Sequence, residues 1–271
     1  MLKRLPILLT ATIRPHRTDG VYKVNQPEEE RYRQYCSALQ WIAKSRLTDK
    51  LVLAENSGSS LTTDLFRYCS SLQGEHFRAE TLHYPFPDES VVRGKGYGEG
   101  WLINQAVCNS EIISCSNSFL KITGRYKIRN LFRISNILDS LLFKENSCEF
   151  VCQGLSFYDG QIPVVSTALF ACTRPLWLQN FAEAYRQVDD IQGWAFEAEV
   201  AQRLRSLVSN GIQVEEIQLP LVIDAFKTSD NQPLHNRSTL TSLILRSKIA
   251  HVIGRRVYTR TLCEDDFKCL G

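Results

Sequence analysis

The chain has 271 residues, enough to bury one large core, and its 44% hydrophobic against 23% charged residues excludes disorder. A formal net charge of +3 is too small to mark a nucleic-acid binder, so any preference for anions must come from local clusters. The nine cysteines, odd in number and without a CxxC pair or finger-like spacing, point to free thiols in a reducing compartment and away from a disulfide scaffold or zinc centre.

The opening "MLKRLPILLTATI" places two cations before an apolar run, as a signal peptide does. The run is short, contains Pro6 and lacks a small-x-small cleavage site, so it reads as the first core strand, ending at Arg14-Pro15. "EEERYRQYCSALQWIAKSRL" puts Tyr32, Tyr35, Cys36, Leu39, Ile42 and Ala43 on one helical stripe. "KLVLAENSGSS" is a buried strand with a polar C-terminal loop, "SLTTDLFRYCSSL" a capped helix and "AETLHYPF" a third strand. "GKGYGEGWLINQAVCNS" opens with glycines and settles into a helix with Trp101, Leu102, Gln105 and Ala106 on a shared side, and "FLKITGRY" is the fourth strand. Alternation of this kind predicts an α/β domain with a mostly parallel central sheet flanked by helices, whose ligands sit at the carboxyl ends of the strands.

Further on, "NLFRISNILDSLLF" reads as a helix, "EFVCQGLSFYDG" and "PVVSTALFACTR" as strands, and "PLWLQNFAEAYRQ" as a helix. "GWAFEAEVAQRLRSLVSNG" is a helix closed by Gly211, and "QVEEIQLPLVIDA" is a late strand. "TLTSLILRSKIAHVIGRRVYTR" is an apolar and basic helical segment that either packs on the core or lies on an anionic bilayer. The expected division is a domain over 1–235 and a helical C-terminal extension over 236–271. No window approaches the ~18 apolar residues that span a bilayer, so a cytoplasmic protein, or one at the inner face of the membrane, is expected.

The chemistry-bearing residues gather in the loops after the strands. "TATIRPHRT" follows the first, and "ENSG" ends the second, where Glu55 can accept hydrogen bonds and Asn56 to Ser59 can equally be a capped turn. "RGKGYGEG" combines Arg93 and Lys95 with glycines that permit close backbone approach, but its spacing is neither the dinucleotide nor the phosphate-loop signature. "FLKITGRYKIR" gathers Lys121, Arg125, Lys127 and Arg129. Alternation puts Lys121 and Thr123 on one face, with Gly124 allowing a turn at Arg125 and Tyr126. The five histidines are dispersed, so no zinc motif is visible.

Taken in order, these segments resemble a nucleotide-sugar-dependent glycosyltransferase of the GT-A type, particularly family 2 and related bacterial enzymes that build lipopolysaccharide or capsule, up to about Leu204. The resemblance implies a single GT-A-like, Rossmann-like domain that moves a sugar from a nucleotide-sugar donor to a glycan or lipid-linked oligosaccharide. It implies donor contacts at Thr12, Arg14, Glu55, Asn56, Ser57, Arg93, Lys95, Gly96 and Tyr126, with Asp159 a further donor or metal contact or else an Asp-Gly turn. The family's Asp-x-Asp motif, which holds a divalent metal against the diphosphate, is replaced here by "KITGRYK". Lys121 and Arg125 would then stabilise the leaving phosphate, with Lys127 and Arg129 as outer support. No cofactor is then required; a need for Mn²⁺ or Mg²⁺ would call on residues such as Asp159 or His235. By position Glu197 would be the general base, with Glu199, Asp189 and Asp190 as alternates. Without the Asp-x-Asp motif, a non-catalytic glycan-binding or scaffold protein on a degenerate transferase fold is the alternative.

Overall fold

Branched apolar runs without a polar face cannot line a surface, so they pair side by side and are covered from both sides. In the computed structural model, which describes residues 4–15, 26–142, 148–224 and 259–268, β1 (Ile7–Ala11) lies between β2 (Lys50–Glu55) and β4 (Ser118–Thr123) and is parallel to both. β3 (Arg78–His83) extends this set beyond β2. On the other side of β4, β7 (Ile162–Thr173) runs antiparallel and forms a hairpin with β6 (Phe150–Tyr158), and β8 (Val214–Ile217) pairs with β6 in parallel. The short β5 (Lys127–Ile128) and β9 (Ile223–Asp224) form a separate ribbon. β10 (Thr259–Thr261) closes the main sheet antiparallel to β8, giving the order β10-β8-β6-β7-β4-β1-β2-β3. The expected mostly parallel α/β sheet is thus observed, with β7 and β10 opposed to the other strands.

Two apolar layers flank the sheet. Leu9, Leu53 and Ile122 point to the side covered by α1 (Glu28–Ser45), α2 (Thr62–Ser71) and α6 (Leu131–Leu142). Leu8, Val52 and Phe119 point to the opposite side, against α4 (Lys95–Asn109), α5 (Glu111–Ser114), α7 (Arg174–Asn180) and α8 (Phe196–Ser209). On α4 the deeply buried stripe is Leu102, Ile103, Ala106 and Val107, while Trp101 and Gln105 are half-buried, a rotation of the expected face. The helix starts at Lys95, directly after the short α3 (Glu89–Arg93), so the glycine-rich stretch is helical from its second residue. Gly94 takes a positive φ of 101° at this junction.

The late strand splits at Pro220 into β8 and β9, because proline has no N–H for a ladder. Residues 236–258 of the expected C-terminal extension lie outside the described residues. The basic amphipathic segment lies almost wholly within that range; from Thr259 on, Thr259–Thr261 is an edge strand and Glu264–Phe267 a 3₁₀ turn, with Leu262 and Phe267 buried in the core beside α8. The described cysteines are free thiols, and burial pushes Cys69 and Cys148 up to about 12. No helix among the described residues is long and apolar enough to cross a membrane.

Candidate functional site

At the carboxyl end of β4, Lys121 and Thr123 share one face of the strand, as alternation requires. Lys121 is fully buried. Its ammonium pairs with Glu99 of α4 and donates to Thr123 Oγ1 at 3.2 Å and to the Thr167 carbonyl of β7 at 2.5 Å. An ammonium has three donors, and all three are occupied. In this arrangement Lys121 has no donor left over for the leaving phosphate it is expected to meet, and it holds Glu99 in place.

Glu99 keeps 13% of its side chain exposed. Burial alone would push its carboxyl up, but the charges of Lys121, Lys95 and Arg125 together hold it below the usual carboxylate range. Lys95, one turn before Glu99, has a solvent-reaching side chain whose ammonium is nonetheless partly desolvated among charges; it is raised first by the Glu99 charge and further by Glu197 and Tyr126, against that desolvation and Arg125. Glu197, in the first turn of α8, accepts a hydrogen bond from Thr167 Oγ1 at 2.9 Å. Thr167 thus touches both the buried pair and Glu197, through its carbonyl and its hydroxyl.

The alternates to Glu197 are occupied otherwise. Glu199 accepts from Trp194 Nε1 at 3.1 Å and from Arg203 Nε at 2.6 Å, and Asp189 accepts the N–H groups of Ile191 and Gln192, both at 3.1 Å. Asp190 accepts the Gly96 N–H at 2.6 Å. Burial raises the pKa of Asp190, Gly96 counters that, and Glu197 adds to it. A Cβ on Gly94 or Gly96 would meet the Asp190 side chain at 2.6 or 2.8 Å, so this approach requires glycine.

The donor-side candidates fall into two groups. Thr12, Asn56, Ser57 and Glu55 form a buried network beyond β1 and β2. Thr12 donates to Asn56 Oδ1 at 2.8 Å, and Glu55 accepts from Ile13 N at 3.2 Å, from Ser57 N at 2.9 Å, from the Ser57 hydroxyl and from Thr62 Oγ1 at 3.0 Å. Glu55 is fully buried, and His83 Nδ1 lies 3.4 Å from its other side. A carboxylate so engaged holds the loop after β1.

Arg125 is 7% exposed and donates to Gln26 and to Gln34 of α1, at 3.2 and 3.0 Å. Gly124 makes this turn: its N–H bonds the Thr10 carbonyl at 3.0 Å, and a Cβ there would sit 2.6 Å from that oxygen. The charge of Arg125 reaches both Glu99 and Lys95.

Other candidates lie apart from this convergence. Arg14 is exposed and pairs with Glu28 at 2.6 Å, and Arg93 stacks over the Tyr97 ring at 5.0 Å. Lys127 donates to Ser37 and Arg129 pairs with Asp224, so neither supports Lys121. Asp159, with φ 48°, and Gly160, with φ 71°, form the exposed tip of the β6–β7 hairpin. That is the Asp-Gly turn reading. His16 and His235 lie outside the described residues.

Among the described residues, the carboxylates at this convergence do not make a divalent-cation site. Glu99 is neutralised by Lys121, Asp190 is bound to Gly96, and among the described residues no group of three His, Cys, Asp or Glu could hold a metal. Sequence reasoning passed over Glu99 and Thr167. The signal for Glu99 was its place four residues after Lys95 on a helix; nothing in the sequence marked Thr167.

No family model matches the chain, and no curated protein does. Among solved structures, the apo bifunctional glycosyltransferase WbbM is 10% identical over 91% of this chain and 44% of its own, with a TM-score of 0.48. The chain therefore spans less than half the length of WbbM. The galactosyltransferase LgtC, in complex with donor and acceptor sugar analogues, is 10% identical over 74% of this chain and 70% of its own, with a TM-score of 0.46. A putative nucleotide-diphospho-sugar transferase from Desulfovibrio desulfuricans G20 is 11% identical over 79% and 80%, also at 0.46. Likenesses at this level do not decide the activity.

Proposed function

We propose that the chain transfers a glycosyl group from a nucleotide-sugar donor to a hydroxyl of a glycan or lipid-linked acceptor, in the assembly of a surface polysaccharide such as lipopolysaccharide or capsule. One observation carries the reading: α4, the turn after β4, β7 and α8 bring Lys95, Arg125 and Glu197 together at the carboxyl edge of the parallel strands, around the buried Lys121–Glu99 pair. The sequence resemblance to GT-A transferases supports the same reading.

In this reaction the acceptor oxygen attacks the anomeric carbon, its proton passes to Glu197, and the bond to the phosphate oxygen breaks with the electron pair leaving on the nucleoside diphosphate. Lys95 and Arg125 meet the charge that develops there, and no step runs through a metal. Lys121 and Glu99 do not touch the reacting atoms; they fix the field in which Lys95 sits. The work belongs in the cytoplasm, at the inner membrane face where the acceptor is lipid-linked.

The test is thermal unfolding with UDP, GDP, CMP and dTDP, each with and without Mn²⁺ or Mg²⁺. A ligand that binds the native state raises its apparent stability. The expected result is a rise in Tm with one nucleotide that is independent of metal. Absence of a shift with every nucleotide would move the chain to the non-catalytic glycan-binding alternative.

A further inference from the structure

Arg31 stands in the first turns of α1, directly after Glu28, Glu29 and Glu30, yet it turns away from them and into the protein. Only 5% of it is exposed. Its Nε donates to the carbonyls of Thr12 and Ile13, both at 3.0 Å, and one terminal nitrogen donates to Thr12 at 2.5 Å. The other terminal nitrogen, Nη1, is buried without a hydrogen-bond partner among the described residues. Leaving a cationic donor both desolvated and unmade is expensive, and a buried group in this state calls for an explanation such as an absent ion.

A second cation stands beside it. Arg125 lies within electrostatic reach of Arg31, and burial first, then this like charge, lower the proton affinity of Arg31 against the opposing effects of Tyr35 and Glu55. The partners of Arg31 are the neutral carbonyls of Thr12 and Ile13 and the Tyr35 hydroxyl, and no carboxylate of the described residues forms an ion pair with it. Both side chains lie at the end of β1, Arg31 on the Thr12 and Ile13 carbonyls and Arg125 just after Gly124, which packs on Thr10 and Tyr35.

We propose that Arg31 and Arg125 form an oxyanion subsite at the end of β1 that takes a phosphate group, with Arg31 as a second binding cation beside Arg125. A planar fork with a spare N–H suits phosphate oxygens better than a point charge does. That this phosphate belongs to the donor's diphosphate rests on the transferase reading; the subsite itself does not.

The experiment is calorimetry at low salt with inorganic pyrophosphate and, separately, UDP and GDP, on the wild type and on Arg31→Lys, Arg31→Gln and Arg125→Gln. Pyrophosphate is expected to bind the wild type, and Arg31→Lys to weaken it about tenfold, a loss on the scale of one charge-assisted hydrogen bond. Arg31→Lys keeps the charge and a carbonyl contact, so it carries the test even where Arg31→Gln fails to fold. Combined with Arg125→Gln, it should lose less than the product of the single effects, because both side chains grip one anion. Failure of the wild type to bind pyrophosphate, or equal binding by Arg31→Lys, overturns the subsite. Pyrophosphate held through Arg31 by a protein that turns over no nucleotide sugar keeps the subsite and sinks the transferase reading. Nucleotide binding and sugar transfer that survive Arg31→Lys unchanged do the reverse.

Discussion

Lys121 and Glu99 stabilise the native state only as a pair, since either charge alone would be desolvated without a counterion. Glu99→Gln should cost about 3 kcal/mol in chemical denaturation, and Lys121→Met a similar amount. The double variant should cost distinctly less than the sum, and strict additivity would show the two charges to be independent. The same pair sets an acid limit. Because the native Glu99 carboxyl titrates below its ordinary value, it contributes stability above the ordinary carboxylate range and loses it as pH falls through the native pKa. The acid limb of a stability-against-pH curve should therefore flatten in Glu99→Gln.

At the proposed base, Glu197→Gln should bind nucleotide and fail to transfer, while Thr167→Val keeps the carbonyl under Lys121 but frees Glu197. A fall of about tenfold in kcat with unchanged KM is expected for Thr167→Val. Much of this was legible in outline. Alternation put Lys121 and Thr123 on one face, and the family resemblance pointed to Glu197 by its place before Arg203 and Leu204. That Lys121 has no donor to spare was not legible, because its partners come from a glycine-rich helix and from a strand 46 residues further on.

Helix α4 reaches its place because it carries glycines where other elements press on it. A Cβ on Gly100 would lie 2.8 Å from the Phe196 ring and 2.9 Å from Tyr185, and on Gly98 it would lie 2.9 Å from the Phe86 ring. Gly100→Ala should force α8 outward at about 1–3 kcal/mol, the ordinary range for overpacking. A stability loss without any loss of turnover would uncouple α8 packing from the placement of Glu197. Strand and helix order was readable as far as β4 because buried parallel strands leave continuous apolar runs. The reversal of β7 was not, since side-chain alternation reads the same in either direction. The strand β10 escaped for another reason: three residues, Thr-Arg-Thr, carry too little pattern to stand out from a basic segment.

On the scale of the whole molecule, the last described residues close one edge of the sheet. Thr261 donates to Glu215 at 2.6 Å, and Arg260 pairs with both Glu216 and Asp266 at 2.6 Å. Glu215 and Glu216 are buried, so removing residues 259–271 would take the Thr261 hydroxyl from Glu215 and the Arg260 charge from Glu216, leaving them only Gln213 and the Leu155 N–H, and would bare an edge ladder. Such a truncated chain should show a lower urea midpoint and rising light scattering. Arg260→Ala alone should cost only about 1 kcal/mol, given its partial exposure.

The double attachment of Thr167 also orders events in time. The four parallel strands and α4 are complete by residue 123, so this half of the sheet can assemble on a nascent chain before β7 has been synthesised. Until the reversed strand inserts beside β4, Lys121 lacks the Thr167 carbonyl and stays hydrated. Dehydration of the cation and tethering of Glu197 then depend on the docking of one strand, and a chain arrested short of it would hold an ordered half-sheet with no working centre.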